Sequence, residues 1–175
     1  MLESDRNLIR NIPDFPKPGI QFKDITPLLA DSRAFNKVIE NFVLQIPKNC
    51  TYIAGIEARG FIFAAAVAQA SKRGFIPIRK SGKLPGLVEK ESYALEYGEA
   101  ALEIHKDIYI GNSSVVIVDD VLATGGTALA AIKLCEKVNL KIESMLFLME
   151  IPELGGRSQI MNHSPNLQIS VLLAE

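Results

Sequence analysis

The sequence predicts an α/β fold, a mainly parallel twisted sheet flanked by helices, and three observations carry that prediction. Short apolar runs suited to buried strands recur at Tyr52–Ile56, Phe75–Ile78, Val115–Val118 and Met145–Met149. Helical patterns fall between several of them, and strands that alternate with helices imply a mainly parallel sheet. The run at Val115–Val118 leads straight into two carboxylates, a small-residue loop and a new helical pattern. Sheets of this kind bind their ligands at the carboxyl ends of the strands.

Helices are expected over Ser4–Arg10, Ser32–Leu44 with Ser32 as N-cap, Phe61–Lys72 and Thr127–Val138, the last two supported by alanine-rich stretches. Three segments break the rhythm. Ile12–Leu29 carries four prolines and a glycine, which rules out a long helix and predicts a surface-wrapping segment. Arg79–Gly98 is a charged, glycine-containing connection, longer than most loops of compact domains and so expected to act as a lid or binding loop. The piece from Ile151 contains Gly155-Gly156 and ends in an apolar, strand-like run, Leu167–Leu173. There is no internal repeat and no low-complexity tract.

With 175 residues and 48% hydrophobic content, the chain fits one domain, residues 1–175. A net charge of −1 supplies no excess basicity for non-specific binding of nucleic acid or a membrane surface, so any anion site must be local. Cys50 and Cys135 are far apart and, with only two histidines in the chain, lack metal-ligand spacing; both are expected to be reduced and buried. The charged, amphipathic start does not read as a signal peptide. The longest predominantly apolar stretch, Gly60–Ala70, falls well short of the ~20 residues of a membrane span. The expected location is cytoplasmic.

The most informative string is VVIVDDVLATGGTALAA, Val115–Ala131. Ala123, Thr124, Gly125, Gly126 and Thr127 fall where a helix begins, where backbone N–H groups lack intrahelical partners and the helix dipole favours an anion. The glycines let the backbone curl around a phosphate, and the two threonines add hydroxyl donors. No Lys follows the glycines, which excludes the nucleoside-triphosphate P-loop, and a G-x-G-x-x-G dinucleotide fingerprint is absent. Asp119 and Asp120 can accept hydrogen bonds from the vicinal hydroxyls of a ribose whose 5′-phosphate lies in the loop. The plainer reading of such a corner is an Asp-capped turn.

The full string resembles the signature with which type I phosphoribosyltransferases bind 5-phosphoribosyl 1-pyrophosphate (PRPP). Three further segments resemble the adenine-specific branch of that family: FPKPGIQFKDITPLL is similar to its hood over the base, Gly55-Ile56-Glu57-Ala58-Arg59-Gly60 to its pyrophosphate loop, and SYALEYG to the tip of its mobile lid. The resemblance covers nearly the whole chain. It implies a hood from residues 1–30 plus the piece from 151, a lid loop at 79–98, and the reaction of adenine with PRPP to give AMP and pyrophosphate.

By this resemblance the 5′-phosphate belongs to Ala123–Thr127 and the ribose to Asp119 and Asp120. Pyrophosphate belongs to Glu57, Ala58, Arg59, Arg79, Lys83 and Tyr97, and adenine lies between Phe22 and Ile151 with main-chain groups of Gln21 and Lys23 reading its edge. Arg59 opens a helix, so a guanidinium and a helix N-terminus would point together at the leaving anion. Glu96 is the carboxylate implied to exchange a proton with the base, with Glu96 and Tyr97 closing over the reacting centre. Read without the resemblance, Arg59 and Glu96 also suit solvated surface positions, and Phe22 and Ile151 suit an ordinary core.

The resemblance further implies a cis peptide near Glu57 and Ala58, a homodimer, and Mg²⁺ held mostly through substrate oxygens and water rather than by a dedicated protein cage. Lys23 stands where relatives often carry Arg, and Glu57-Ala58 where some carry Asp-Ser; neither change removes a needed charge. Two alternatives share the signature: a phosphoribosyltransferase for a 6-oxopurine such as xanthine or hypoxanthine, and a non-catalytic PRPP-sensing regulator. The hood and lid strings argue against the first. Against the second, about a dozen residues before the hood are too few for a helix-turn-helix.

Overall fold

The computed structural model describes residues 3–95, 98–110 and 113–174. A seven-stranded sheet runs in the order β5-β6-β4-β3-β7-β8-β9. Its parallel part comprises β4 (Gly74–Lys80), β3 (Tyr52–Ile56), β7 (Ser114–Leu122), β8 (Lys141–Glu150) and β9 (Gln168–Ala174). At one edge β6 (Gly98–His105) pairs antiparallel with β4, and β5 (Val88–Leu95) pairs antiparallel with β6.

Alternation along β7 explains why both faces are covered. Val116 and Val118 join the apolar cluster that contains Leu28, Val38, Phe42 and Phe63 from α1 (Thr26–Ala30), α2 (Ser32–Leu44) and α3 (Arg59–Ser71). Val115 and Ile117 join the opposite cluster with Ala131, Leu134 and Ile160 from α4 (Gly126–Lys137) and α5 (Gly156–His163). All four β7 residues are fully buried, as a parallel strand under two helical layers requires.

Several expectations are corrected in detail. The first helical segment is a 3-10 turn at Glu3–Leu8, and from Arg10 the chain is already strand, because β1 (Arg10–Pro13) pairs with β2 (Gln21–Asp24). The N-cap of α2 is Asp31 rather than Ser32; its carboxylate accepts from the Ala34 N–H at 2.9 Å. The proline-rich segment does not only wrap the surface, since its end, through Ile25 and Leu28, enters the core. Residues 79–98 are not one long loop: β4 extends to Lys80, and β5 and β6 form a ribbon in register from Val88↔His105 to Leu95↔Gly98. Glu91 fastens the ribbon to α4, facing Lys133 at 3.1 Å and Lys137 at 2.8 Å.

Cys50 and Cys135 are both buried and free, and burial pushes the Cys135 thiol up to about 12. Among the described residues no helix is long and apolar enough to cross a membrane.

Candidate active site

At the carboxyl ends of β3, β4 and β7 lies a cavity of about 520 Å³, roofed on one side by the β1–β2 hairpin. One wall is the turn from β7 into α4. Strand β7 runs on to Leu122, so Asp119 and Asp120 lie within it rather than beyond it, where the strand reaches the cavity. Gly125 takes a left-handed φ of 88° as the N-cap of α4, which a side chain would strain. Ala123, Thr124, Gly125 and Thr127 line the cavity; Gly126 is the first helical residue and lies outside that lining.

The carboxylates are held close to neighbouring backbone. The Asp120 N–H donates to Asp119 Oδ1 at 2.9 Å. The start of α3 approaches so tightly that a Cβ on Gly60 would sit 2.6 Å from that same oxygen, so a glycine is needed there. Loss of water around Asp119, and then the neighbouring Asp120 charge, push its pKa well above the usual carboxylate value. Burial likewise raises that of Asp120, against the opposing pull of Arg59.

Arg59 ties three elements together. Its Nε lies 2.7 Å from Asp120 Oδ2, its Nη1 donates to the Lys23 carbonyl at 3.0 Å, and its guanidinium carbon stands 4.9 Å from the centre of the Phe22 ring. The contact with Asp120 is a charge contact rather than an aligned hydrogen bond. Among the described residues the buried Oδ2 accepts no aligned hydrogen bond and is balanced by the charge of Arg59. The Lys23 carbonyl, one of the main-chain groups expected to read a base, here accepts from Arg59.

Glu57 and Ala58 also line the cavity, and the peptide between them is cis. The Glu57 carboxylate accepts from the Lys80 N–H at 3.0 Å and from Arg79 Nε at 3.2 Å. Burial acts to raise its pKa, but these bonds outweigh burial and hold it below the ordinary value. Arg79 also donates through Nη1 to the Lys83 carbonyl at 2.9 Å, so its guanidinium is engaged and it does not line the cavity; nor does Lys83. Lys80 and Tyr93 do, although the sequence reading assigned them no role. The adjacent Arg79 was the available signal for Lys80; Tyr93 falls in a strand whose charged sequence carries no apolar alternation, so no local pattern pointed to it.

On the opposite wall lie Gln21, Phe22 and Lys23 of β2 and, beyond β8, Ile151. Glu96 and Tyr97 lie outside the described residues. The donor set facing the cavity is small: among the described residues no group of three or more His, Cys, Asp or Glu side chains gathers to hold a metal ion.

The phosphoribosyl transferase domain family matches residues 22–157. Adenine phosphoribosyltransferase of Clavibacter sepedonicus is 45% identical over 166 residues, covering 95% of this chain and 86% of that one. The crystal structure of adenine phosphoribosyltransferase from Thermoanaerobacter pseudethanolicus superposes with a TM-score of 0.93 at 45% identity, covering 100% of both chains. That from Saccharomyces cerevisiae, complexed with an imino-altritol bisphosphate and adenine, gives 0.90 at 37% identity over 98% of both chains. With the family matched over most of its length and relatives aligned nearly end to end, the chain belongs to the phosphoribosyltransferases and, among these transferases, to the adenine phosphoribosyltransferase family.

Proposed function

We propose that the chain transfers the 5-phosphoribosyl group of PRPP to adenine, forming AMP and pyrophosphate in purine salvage. One observation carries the reading: a single cavity joins a helix-start loop and two strand carboxylates on one wall to an aromatic and an aliphatic side chain on the other. Amides and hydroxyls of Ala123–Thr127 receive the 5′-phosphate. Asp119 and Asp120 accept from the ribose hydroxyls.

The C1′–O bond to pyrophosphate breaks with its electron pair leaving on oxygen, and a base nitrogen bonds to C1′. Glu57, Ala58 and Arg59, with Arg79, Lys83 and Tyr97, stabilise the departing anion, and for this Arg79 turns from Glu57. Glu96 takes the proton that adenine loses, and the ribbon bearing it closes to keep water from competing for C1′. Phe22 and Ile151 sandwich adenine, and backbone groups of Gln21 and Lys23 read its edge. A carbonyl that accepts from an exocyclic amine meets another acceptor in a 6-oxopurine, a mismatch worth on the order of 10⁴-fold.

A Mg²⁺ here would take its ligands from substrate oxygens and water, with Asp119 and Asp120 acting on it only through the ribose hydroxyls they hold. When bound, that ion neutralises charge on pyrophosphate and helps it depart. The protein is expected to act as a cytoplasmic homodimer, which sedimentation would read as twice the chain mass.

The test is to supply PRPP and Mg²⁺ with adenine, hypoxanthine, guanine or xanthine separately and follow nucleotide and pyrophosphate. Conversion of adenine alone is the expected result. Preference for a 6-oxopurine would overturn the hood assignment, and PRPP binding without turnover of any base would leave a sensor rather than an enzyme.

A further inference from the structure

The loop at the start of α4 is backed by a segment that leaves the cavity after Ile151. After β8 the Ile151 N–H donates to the Leu122 carbonyl at 2.9 Å, the chain makes a 3-10 turn at Pro152–Leu154, and α5 begins at the buried Gly156. There two backbones meet directly. A Cβ on Gly156 would sit 2.2 Å from the Ala123 carbonyl oxygen and 2.9 Å from the Gly125 nitrogen, and one on Gly125 would sit 2.8 Å from the Gly156 carbonyl oxygen. The obstructing atoms are main chain and cannot swing aside as a flexible side chain does.

Helix α5 is anchored independently of this contact. Arg157 reaches Glu150 through Nε at 3.1 Å and Nη2 at 2.6 Å, and donates from Nη1 to the Ile169 carbonyl at 3.1 Å. Ile160 is fully buried in the cluster that α4 also enters. With α5 pinned to β8 and β9, a side chain at position 156 would have to move the loop, by about 1 Å to restore an ordinary contact.

We propose that Gly156 is a positioning residue for the 5′-phosphate: lacking a side chain, it lets the first turn of α5 hold Ala123 and Gly125 in the curvature that aims their N–H groups at one anion. The inference rests on the reading of Ala123–Thr127 as the phosphate loop and extends it to a residue that touches no substrate. A misplacement of this size costs on the order of 10²-fold where several donors must converge. The Ile151–Leu122 bond sets the base platform from the same segment, yet a shift confined to the loop should leave base binding intact.

Calorimetric titration of the wild type, Gly156→Ala and Ile160→Val with AMP, adenosine and adenine, alongside melting temperatures, separates the outcomes. The wild type should prefer AMP to adenosine. Gly156→Ala should lose that preference by about 10- to 100-fold while adenine and adenosine affinities hold. Ile160→Val, which trims the same helix away from the loop, should lower the melting temperature and keep the preference. An undiminished preference for AMP in folded Gly156→Ala overturns the positioning role, whereas a wild type indifferent to the phosphate overturns the phosphate-loop reading itself. If Gly156→Ala does not fold, hydrogen exchange on the wild type decides: AMP should slow exchange across residues 156–159 more than adenosine does, and equal protection overturns the proposal.

Discussion

The two walls of the cavity are built in different ways. The β7–α4 wall grows from the centre of the sheet, with Val115 to Val118 fully buried and Ala128 and Ala131 buried in the first half of α4. What it presents to the cavity is a helix-start turn and two short carboxylates, placed by the fold. The hood wall is a two-stranded hairpin whose strands are mostly exposed or half-buried. Phe22 is steadied there by Phe15, edge-on at 5.1 Å although Phe15 is itself 51% exposed, and by the guanidinium of Arg59. On the proposed reading, a charged group common to many substrates would meet preorganised backbone, while the group that distinguishes one base from another would meet a thin element that can adapt.

The largest effect should come from breaking the central wall. Asp120→Asn removes the carboxylate that faces Arg59, and kcat/KM for PRPP should fall by about 10- to 100-fold in steady-state assays, an interaction with a charged group being worth about 1.5–3 kcal/mol. Breaking the hood should be gentler and selective. Phe22→Ala should raise the KM for adenine by roughly tenfold, since stacking on an aromatic ring is worth about 1–3 kcal/mol per base, and leave the KM for PRPP nearly unchanged.

Stability should move the other way. The raised pKa of Asp119 means that the folded chain keeps a proton that the unfolded chain has released, so stability declines as pH rises from the ordinary 3.8 toward the raised folded value. Asp119→Asn removes that penalty, and denaturation midpoints measured from about pH 4 to about pH 8 should be flatter and, near neutrality, higher than those of the wild type.

The smallest effect belongs to the rim of the hood. Bonds from the Thr26 side chain and N–H, and then from Arg10, lower the Asp24 pKa to about 2. Its contribution is therefore present above 3.8 and lost as pH falls toward about 2. Asp24→Asn should lower the melting temperature slightly at neutral pH, and the difference should vanish in acid.

What the sequence made legible follows the same division. Strand β3 and helix α2 match the expected bounds at both ends, because apolar periodicity over a buried stretch leaves few alternatives. The turn from β7 into α4 was readable because a glycine pair between an apolar strand and an alanine-rich helix is a local signal. The ribbon was not: β5 reads VEKESYAL, with charges where apolar alternation would mark a strand, and only pairing with β6 makes it one. Gly155-Gly156 stood out as a pair, but its contact with Gly125 joins positions far apart in the chain, as does the engagement of Arg79 by Glu57. Long-range contacts of that kind leave no periodic trace.

A crystal structure with AMP would show whether one cavity holds the phosphate at the β7–α4 wall and the base at the hood. The phosphate is expected on the amides of Ala123–Thr127, the ribose hydroxyls on Asp119 and Asp120, and the purine between Phe22 and Ile151. A phosphate bound elsewhere, or a purine outside the hood, would contradict this placement.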